Sequence, residues 1–520
     1  MTIRPTFVPT EADRYERPGG PWDVPTLDVA TANGPRIVDG GRRIGADELS
    51  AMVSSLAGAL RVRGIGRGDV VAWQLPNWFE TVVLYRAAWT VGATAAPIHH
   101  QAGAGEVAHM VGQLDPTICF AAPGQPLGEL APAVPVRDGG GTFEALLSGG
   151  LTGDPGTAGV AVAGPSRSDV ALVMFTSGSS GVPKGVIQTH RGLSYKMRLM
   201  VDVHRLGVDD VSLMPLPMAH VSGLLNGLLV PAAAGMTTVL MERWDPAVGL
   251  ELIERERVSF MVGPPPLFTA LMDRPDFSSE RVSSLRVLST GAMGVSTEFV
   301  GRSTRELGAQ VKRSFGSTEL PTIATTFADD PFERSRDTDG RVVGEGELRT
   351  IDPTTGDETK AGLAGEVVYR GPEMLHGYLD RAATEATIRG GWFHTGDLGV
   401  LDDDGWLRIV GRLKDTIIRG GENIAPAEVQ HVLEAHPGVR QAVVVGYPDP
   451  AVGERVAAFV VGDGVLDLSW CRAWFGEREV ARFKVPELVV QLDAIPTLAA
   501  GKPDLETLKS EAARMTAASR

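Results

Sequence analysis

Most of residues 176–183 are glycine or small hydroxylated residues. They lie between an apolar strand and Lys184. The surrounding segment, residues 171–190, is ALVMFTSGSSGVPKGVIQTH. Glycine and hydroxyl side chains let several backbone N–H groups approach one anion, and Lys184 adds a mobile positive charge. A Walker loop is excluded because Pro183 stands where that loop needs glycine, and Gly185 where it needs serine or threonine. The segment therefore predicts a polyphosphate-binding loop, with a flexible surface turn as the alternative.

Four further motifs follow this loop along the chain. They are RSFGSTEL at 313–320, GWFHTGDLG at 391–399, GRLKDTIIRGGENIAPAEV at 411–429 and AAGKPDLETL at 499–508. With TSGSSGVPKG, and in this order, they make the chain resemble the acyl-adenylate-forming superfamily of acyl-CoA synthetases, luciferases and peptide-synthetase adenylation domains. The resemblance covers nearly the whole chain and implies two half-reactions. A carboxylate attacks the α-phosphate of Mg-ATP to give acyl-AMP and pyrophosphate, and a thiol then displaces AMP.

The resemblance also implies a nucleotide site. Its expected residues are Thr176, Ser177, Gly178, Lys184, Gly291, Ala292, Phe315, Gly316, Asp397 and Arg412. Thr318 is expected to donate its hydroxyl to the α-phosphate, and Glu319 to ligate Mg²⁺, which prefers oxygen ligands. In-line attack by a weak carboxylate nucleophile needs neutralised phosphates and aligned reactants, with little covalent help from protein. Taken alone, Phe315 could equally be a core residue and Glu319 a solvated acid.

Three more residues have roles implied by the resemblance. Lys502 would bridge the substrate carboxylate and the α-phosphate, and Pro503 directly after it departs from the usual pattern. Lys414 lies at the hinge position, and His220 matches a residue that gates the carboxylate pocket. The alternatives are solvated lysines and a core histidine. Positional candidates for the acyl tunnel, which could also be ordinary core residues, are Val221, Val262, Met293, Leu320 and Pro321.

The predicted function is that of an ATP-dependent acyl-CoA ligase, an acid–thiol ligase that uses ATP, Mg²⁺ and CoA. The RGGENIAPAEV run resembles acyl- and aryl-CoA ligases, and the chain ends about twenty residues after Lys502. The expected substrate is a medium-chain, alicyclic or aromatic carboxylic acid. The alternatives are a stand-alone adenylation enzyme that loads a carrier protein, and a catalytically silent protein that binds ATP or acyl-AMP.

The elements that must position these residues follow an α/β pattern. Apolar spacing predicts a helix from Ala46 to Leu60, and short apolar runs suggest buried strands of largely parallel sheets. Predicted strands are 69–75, 171–175, 258–262, 285–288 and 311–315. From about Gly365 the sequence favours an antiparallel β-ribbon with a turn at Asp404 and Gly405. We expect a large multi-subdomain N-terminal domain (1–411), a hinge (412–415) and a small mobile α+β C-terminal domain (416–520).

Length and composition agree with a multi-lobed enzyme. The chain has 520 residues and a net charge of −15, which disfavours nucleic acid as a partner. Only Cys119 and Cys471 occur, so we expect no disulfide framework and a cytoplasmic location. No segment is long and apolar enough to predict a membrane span; the proline-free run 218–230 predicts a buried helix instead. A homodimer is left open.

Overall fold

The computed structural model describes residues 24–148, 164–177, 183–291, 295–419, 422–424, 426–450, 452–478, 480–497 and 503–517. Within these residues the strands form four sheets. The helices are Leu27–Ala30, Ala46–Val62, Phe79–Val91, Ala104–Leu114, Pro126–Leu130, Thr142–Leu147, His190–His204, Val221–Leu224, Val230–Ala234, Pro246–Glu256, Pro265–Met272, Thr297–Leu307, Phe332–Asp337, Arg381–Thr387, Pro426–Glu434, Leu468–Glu477 and Leu505–Ala517. No helix in this part of the chain is long and apolar enough to cross a membrane.

The largest sheet contains the strand Gln310–Phe315, which includes the first three residues of the RSFGSTEL motif. In spatial order its strands are Arg341–Val342, Ala324–Thr325, Gln310–Phe315, Val287–Thr290, Phe260–Gly263, Val211–Met214, Thr237–Leu240, Arg36–Asp39 and Arg42–Ile44. Neighbours from Gln310–Phe315 to Arg36–Asp39 run parallel, and the outer strands are antiparallel. The carboxyl ends of the parallel strands therefore meet at one edge, where ligand sites of such sheets lie.

A second sheet carries the predicted phosphate loop. In spatial order its strands are Gly377–Tyr378, Pro183–Thr189, Val170–Ser177, Thr94–Ile98, Val70–Gln74, Ile118–Ala121 and Ala133–Pro135. The last five run parallel, whereas Val170–Ser177 and Pro183–Thr189 form an antiparallel hairpin. The loop thus joins two hydrogen-bonded strands, which fixes both of its ends.

The helix Phe79–Val91 joins these two sheets. Almost all of its side chains are buried. The Tyr85 hydroxyl donates to the carbonyl of Met218 on one side (2.6 Å), and the Trp89 indole donates to the carbonyl of Ala171 on the other (2.9 Å). A helix buried on every face belongs in an interior, and its two charged side chains are paired there, Glu80 with Arg137 and Arg86 with the carbonyl of Ala32. Its packing therefore sets the position of the phosphate hairpin relative to the large sheet.

The remaining sheets are smaller. The antiparallel ribbon contains Glu347–Ile351, Ala364–Arg370, Trp392–Leu401, Ile388–Arg389 and Leu407–Arg412. The C-terminal sheet contains Glu422–Ile424, Ile417–Arg419, Gly453–Gly462, Val439–Asp449 and Leu488–Gln491. Between the two sheets the chain makes a single 3₁₀ turn, Leu413–Asp415. The α/β class, the largely parallel sheets, the ribbon and the small α+β domain are confirmed.

One predicted element differs from the structure. The expected helix over 218–230 begins only at Val221, because His220 before it has an extended backbone (φ −111°, ψ 149°). A π-helical turn, Leu225–Leu229, then leads into Val230–Ala234. The hydrophobic composition of this segment predicts that it is buried, but it cannot predict the π-helical turn. Such turns, in which a helix contains one extra residue, often occur near functional sites.

Candidate active site

The phosphate hairpin places Thr176 directly across from Lys184. Both side chains are half-buried. The Lys184 ammonium lies 5.8 Å from the centroid of the Tyr378 ring. A Cβ at Gly185 would lie 2.5 Å from Leu379 Cδ1, so a larger residue would require the Leu379 side chain to move. The base of the loop is therefore closely packed and carries a cation. Gly178 and the side chain of Ser177 lie outside the described residues.

The segment with Thr318 and Glu319 lies beside this hairpin. It begins where Gln310–Phe315 leaves the large sheet at its carboxyl edge. The buried Gln188 amide, on the second strand of the hairpin, donates to the carbonyls of Thr318 (2.9 Å) and Glu319 (3.4 Å). The Tyr378 hydroxyl donates to Glu319 Oε1 (2.9 Å). The two predicted phosphate-binding segments therefore meet at one place through direct hydrogen bonds.

A buried ion pair supports the end of that turn. Lys196 Nζ lies 2.7 Å from Glu373 Oε1, with side-chain exposures of 0% and 1%. The same ammonium donates to the carbonyl of Thr322 (2.9 Å), a residue with a left-handed backbone (φ +43°). The Tyr369 hydroxyl donates to Glu373 Oε1 (2.9 Å). Charges of this kind are retained in an interior only when paired and hydrogen-bonded, so the turn after Glu319 has a fixed shape.

Asp397 and Arg412 face each other across the ribbon. They are register partners, and Arg412 Nε donates to Asp397 Oδ1 at 2.7 Å. Burial raises the pKa of the Asp397 carboxyl, the Arg412 charge opposes this, and the charges of Asp415 and Glu319 raise it further. A carboxylate held in this way is a suitable acceptor for two adjacent hydroxyl groups.

Glu366 fixes the turn that presents Asp397. Its Oε2 accepts from His394 Nδ1 (2.9 Å), and its Oε1 accepts from the backbone N–H of Gly396 (3.2 Å). The hydroxyl of Thr395 donates to the carbonyl of Val367 and accepts from the N–H of Asp397. The TGD segment is thus held from the neighbouring strand. Glu366 belongs to none of the sequence motifs described above.

Gly291 follows the strand Val287–Thr290 at the same sheet edge. A Cβ on Gly291 would lie 2.4 Å from the carbonyl oxygen of Ser314, so the close approach of these strands requires glycine. Phe315 is half-buried and packs against the cores of the ribbon region. Ala292 and Met293 lie outside the described residues. The position of Gly291 agrees with a small residue against a ligand, but its ligand contacts stay a prediction.

His220 belongs to a group of three histidines that the sequence analysis had not predicted. Its ring centroid lies 5.0 Å from that of His99, which in turn stacks on His100 at 4.8 Å. Burial lowers the pKa of His99 to about 3, and the charges of His220 and His100 lower it as well. His99 Nδ1 accepts the N–H of Gln101, so the neutral ring carries its proton on Nε2. The available signal was the His-His pair directly after the strand Thr94–Ile98.

The remaining predicted residues are placed as follows. Among the tunnel candidates, Val221 and Val262 are half-buried, and Leu320 and Pro321 are buried. Lys414 is exposed in the 3₁₀ turn, and its hinge role stays a prediction. Lys502 lies outside the described residues. Its role stays a prediction.

The donor set suits an anion accompanied by a hard cation. Lys184 supplies positive charge, and Glu319 supplies one carboxylate. No group of three or more metal-ligating side chains occurs within the described ranges. A single carboxylate fits Mg²⁺, which keeps water and substrate phosphates for most of its ligands.

The family models agree with this geometry. The model of the AMP-binding enzyme matches residues 28–379, which include the hairpin, Thr318 and Glu319. The model of the AMP-binding enzyme C-terminal domain matches residues 428–502. The chain belongs to the AMP-binding enzyme family.

Individual AMP-binding enzymes align over most of the chain. The medium-chain fatty-acid–CoA ligase of Escherichia coli is 31% identical over 87% of this chain and 83% of its own length. The indoleacetate–CoA ligase of Aromatoleum aromaticum is 32% identical over 90% and 93%. The crystal structure of ATP-bound MatB from Rhodopseudomonas palustris is 26% identical over 96% and 98%, with a TM-score of 0.83. The prediction of an enzyme of the acid–thiol ligase class is confirmed.

Proposed function

We propose that this AMP-binding enzyme is an ATP-dependent acyl-CoA ligase for a medium-chain, alicyclic or aromatic carboxylic acid. The observation that carries the proposal is the meeting of the phosphate hairpin with the Thr318–Glu319 turn, joined by Gln188 and Tyr378. The choice of CoA as acceptor rests on the names of the ligases that align over most of the chain. Their named acids differ, which supports the substrate class rather than one acid.

In the first half-reaction, the carboxylate attacks the α-phosphorus of ATP. We propose that Thr176 and Lys184 hold the β- and γ-phosphates and the departing pyrophosphate, and that Thr318 donates its hydroxyl to the α-phosphate. Asp397 accepts from the ribose hydroxyls, and Arg412 orients that carboxylate. Bound Mg²⁺ on Glu319 would supply charge neutralisation to the phosphates. Preorganised donors of this kind act without reorganising as negative charge develops.

In the second half-reaction, the thiol of CoA attacks the acyl carbon and AMP leaves. The gate role of His220 is supported by its position at the start of the Val221–Leu224 helix, beside His99. Movement of residues 416–520 about residues 412–415 would exchange one catalytic surface for another. The exposure of Lys414 in a single turn between two sheets supports this hinge.

The defining experiment incubates the purified protein with ATP, Mg²⁺, CoA and a panel of acids, and separates the products by mass spectrometry. We expect acyl-CoA, AMP and pyrophosphate. Formation of ADP would refute the adenylation chemistry. Transfer to a holo-carrier protein but not to CoA would favour the carrier-loading alternative. ATP binding without any product would favour a silent binding protein.

Lys502 is tested by separating the half-reactions. We expect Lys502→Ala to lower acyl-AMP formation by about 10²–10³-fold, the usual effect of removing one preorganised donor. It should convert supplied acyl-AMP and CoA to thioester at nearly the parent rate. Lys509→Ala, on the helix Leu505–Ala517, is the matched control and should leave both rates unchanged. Equal loss of both half-reactions in Lys502→Ala would contradict the assigned role.

A further inference from the structure

We propose that Tyr378 is a positioning residue that holds Glu319 ready for a divalent cation and keeps Lys184 beside it. This inference rests on the proposed function, in which Glu319 is the cation ligand. Tyr378 belongs to none of the motifs that identified the nucleotide site. Its side chain nevertheless contacts both phosphate-binding segments.

The contacts of Tyr378 join two distant parts of the chain. Its hydroxyl donates to Glu319 Oε1 at 2.9 Å, across 59 positions of sequence. Its ring lies 5.8 Å from the Lys184 ammonium, within the range of a cation–π interaction. Tyr378 itself is 8% exposed. One buried side chain thus contacts the proposed metal ligand through its polar end and the phosphate lysine through its face.

The backbone around Tyr378 is fixed by its own hydrogen bonds. Tyr378 pairs with Val186 at the edge of the seven-stranded sheet, and its N–H donates to Thr384 Oγ1 at 2.9 Å. Three residues earlier, the N–H of Leu375 donates to the carbonyl of Glu319 at 2.8 Å. The same short segment therefore holds Glu319 by its main chain and by its carboxylate. This double attachment is what a precisely oriented ligand requires.

The hydroxyl of Tyr378 is the donor in its contact with Glu319, because a carboxylate oxygen can only accept. Within the described part of the chain, Tyr378 is the one side chain that donates a hydrogen bond to the Glu319 carboxylate, and it does so at Oε1. Oε2 is left for a hard cation.

A residue that hydrogen-bonds to a metal ligand usually affects the affinity for the metal. Groups that hydrogen-bond to a ligating carboxylate fix its orientation, and removing one typically costs about 10–100-fold in metal affinity. The structure offers a matched control in Tyr369, whose hydroxyl donates at the same distance, 2.9 Å, to Glu373. That carboxylate is paired with Lys196 and buried. Tyr369→Phe therefore removes an equivalent bond to a different carboxylate, while the Lys196–Glu373 ion pair that supports the turn after Glu319 stays in place.

The test measures binding of the nonhydrolysable analogue α,β-methylene-ATP by calorimetry, with Mg²⁺ titrated from zero. We expect Tyr378→Phe to need about 10–100-fold more Mg²⁺ for the parent affinity, while its affinity in EDTA stays unchanged. Tyr378→Leu, which also removes the ring under Lys184, should lose affinity in EDTA as well. Tyr369→Phe should reproduce the parent Mg²⁺ curve. Thermal melts establish that each variant is folded.

A Mg²⁺ curve of Tyr378→Phe identical to that of the parent would overturn the proposal, as would an equal shift in Tyr369→Phe. A double-variant comparison gives an independent answer. In the Glu319→Gln background, Tyr378→Phe should cause no further change in the Mg²⁺ requirement, and an undiminished shift there would mean that Tyr378 acts elsewhere. Failure of the proposed function is seen separately, because the parent would then form no acyl-CoA, AMP and pyrophosphate in the product assay, whatever its Mg²⁺ curve.

Discussion

Gly316 offers a sharp test of the phosphate-binding turn. An added Cβ at this position would lie 2.4 Å from the backbone nitrogen of Thr322, 2.7 Å from the carbonyl oxygen of Leu320 and 2.8 Å from Thr322 Cα. All three are backbone atoms, so no side chain can rotate away. Gly316→Ala must therefore open the turn that carries Thr318 and Glu319.

The size of the effect follows from this crowding. Overpacking a fixed site typically costs about 1–3 kcal/mol of stability. With an unfolding entropy of about 2.1 cal/mol/K per residue, a protein of this size loses only about 1 °C per kcal/mol, so the melting temperature should fall by roughly 1–3 °C. Misplacing a reacting group by about 1 Å can cost about 10²-fold in rate. We therefore expect a folded protein whose ATP–pyrophosphate exchange falls by about that factor.

The assay compares exchange rates and thermal melts of Gly316→Ala with those of Gly58→Ala. Gly58 lies within the helix Ala46–Val62, and a Cβ there would meet nothing within 4 Å. Gly58→Ala should stabilise the protein by about 0.5–1 kcal/mol and leave exchange unchanged. Parent-like exchange in Gly316→Ala would refute the reasoning, because it would mean that the turn can widen without displacing Thr318 and Glu319.

Three further outcomes are expected. Lys196→Met should lower the free energy of unfolding by about 3–5 kcal/mol, because it leaves Glu373 buried and unpaired; denaturant unfolding measures this, and a parent-like midpoint would contradict it. KM for ATP should rise on the acid side at a pH above the usual range of an aspartate, because the pKa of Asp397 is raised by burial and only the ionised carboxylate accepts from both ribose hydroxyls. Asp397→Asn should have a high KM for ATP that does not rise further at low pH. If its KM still rose at low pH as in the parent, Asp397 would not be the group responsible. Lys414→Pro fixes φ at the hinge, so acyl-AMP should accumulate while thioester formation falls; equal loss of both half-reactions would argue against a hinge.

Much of this architecture could be predicted because its signals are local. The helix predicted from Ala46 to Leu60 is Ala46–Val62 in the structure, and the valine-rich run at 69–75 contains the strand Val70–Gln74. The turn at Asp404 and Gly405 does join two strands of the ribbon. Each of these rests on periodicity or turn chemistry within a dozen residues.

The contacts that organise the site could not be predicted in this way. Gln188 contacts a carbonyl 130 positions later, Tyr378 contacts a carboxylate 59 positions earlier, and Glu366 holds a turn 30 positions ahead. None of the three carries a local signal, because a buried glutamine, tyrosine or glutamate looks the same in sequence whether it serves a site or not. The side chains that meet the ligand follow recognisable motifs, whereas the side chains that orient them depend on the fold.

The order of strands in the large sheet also governs how the chain acquires its structure during synthesis. Arg36–Asp39 lies between Arg42–Ile44 and Thr237–Leu240, so its parallel neighbour leaves the ribosome about 200 positions later. At about 5–20 residues per second, residue 240 is reached roughly 10–50 s after initiation. A nascent chain that ends before Thr237 leaves the apolar side chains of that first strand without their partner. The two buried apolar residues of this strand, Ile37 and Val38, therefore reach their final packing only after residue 240 has been synthesised.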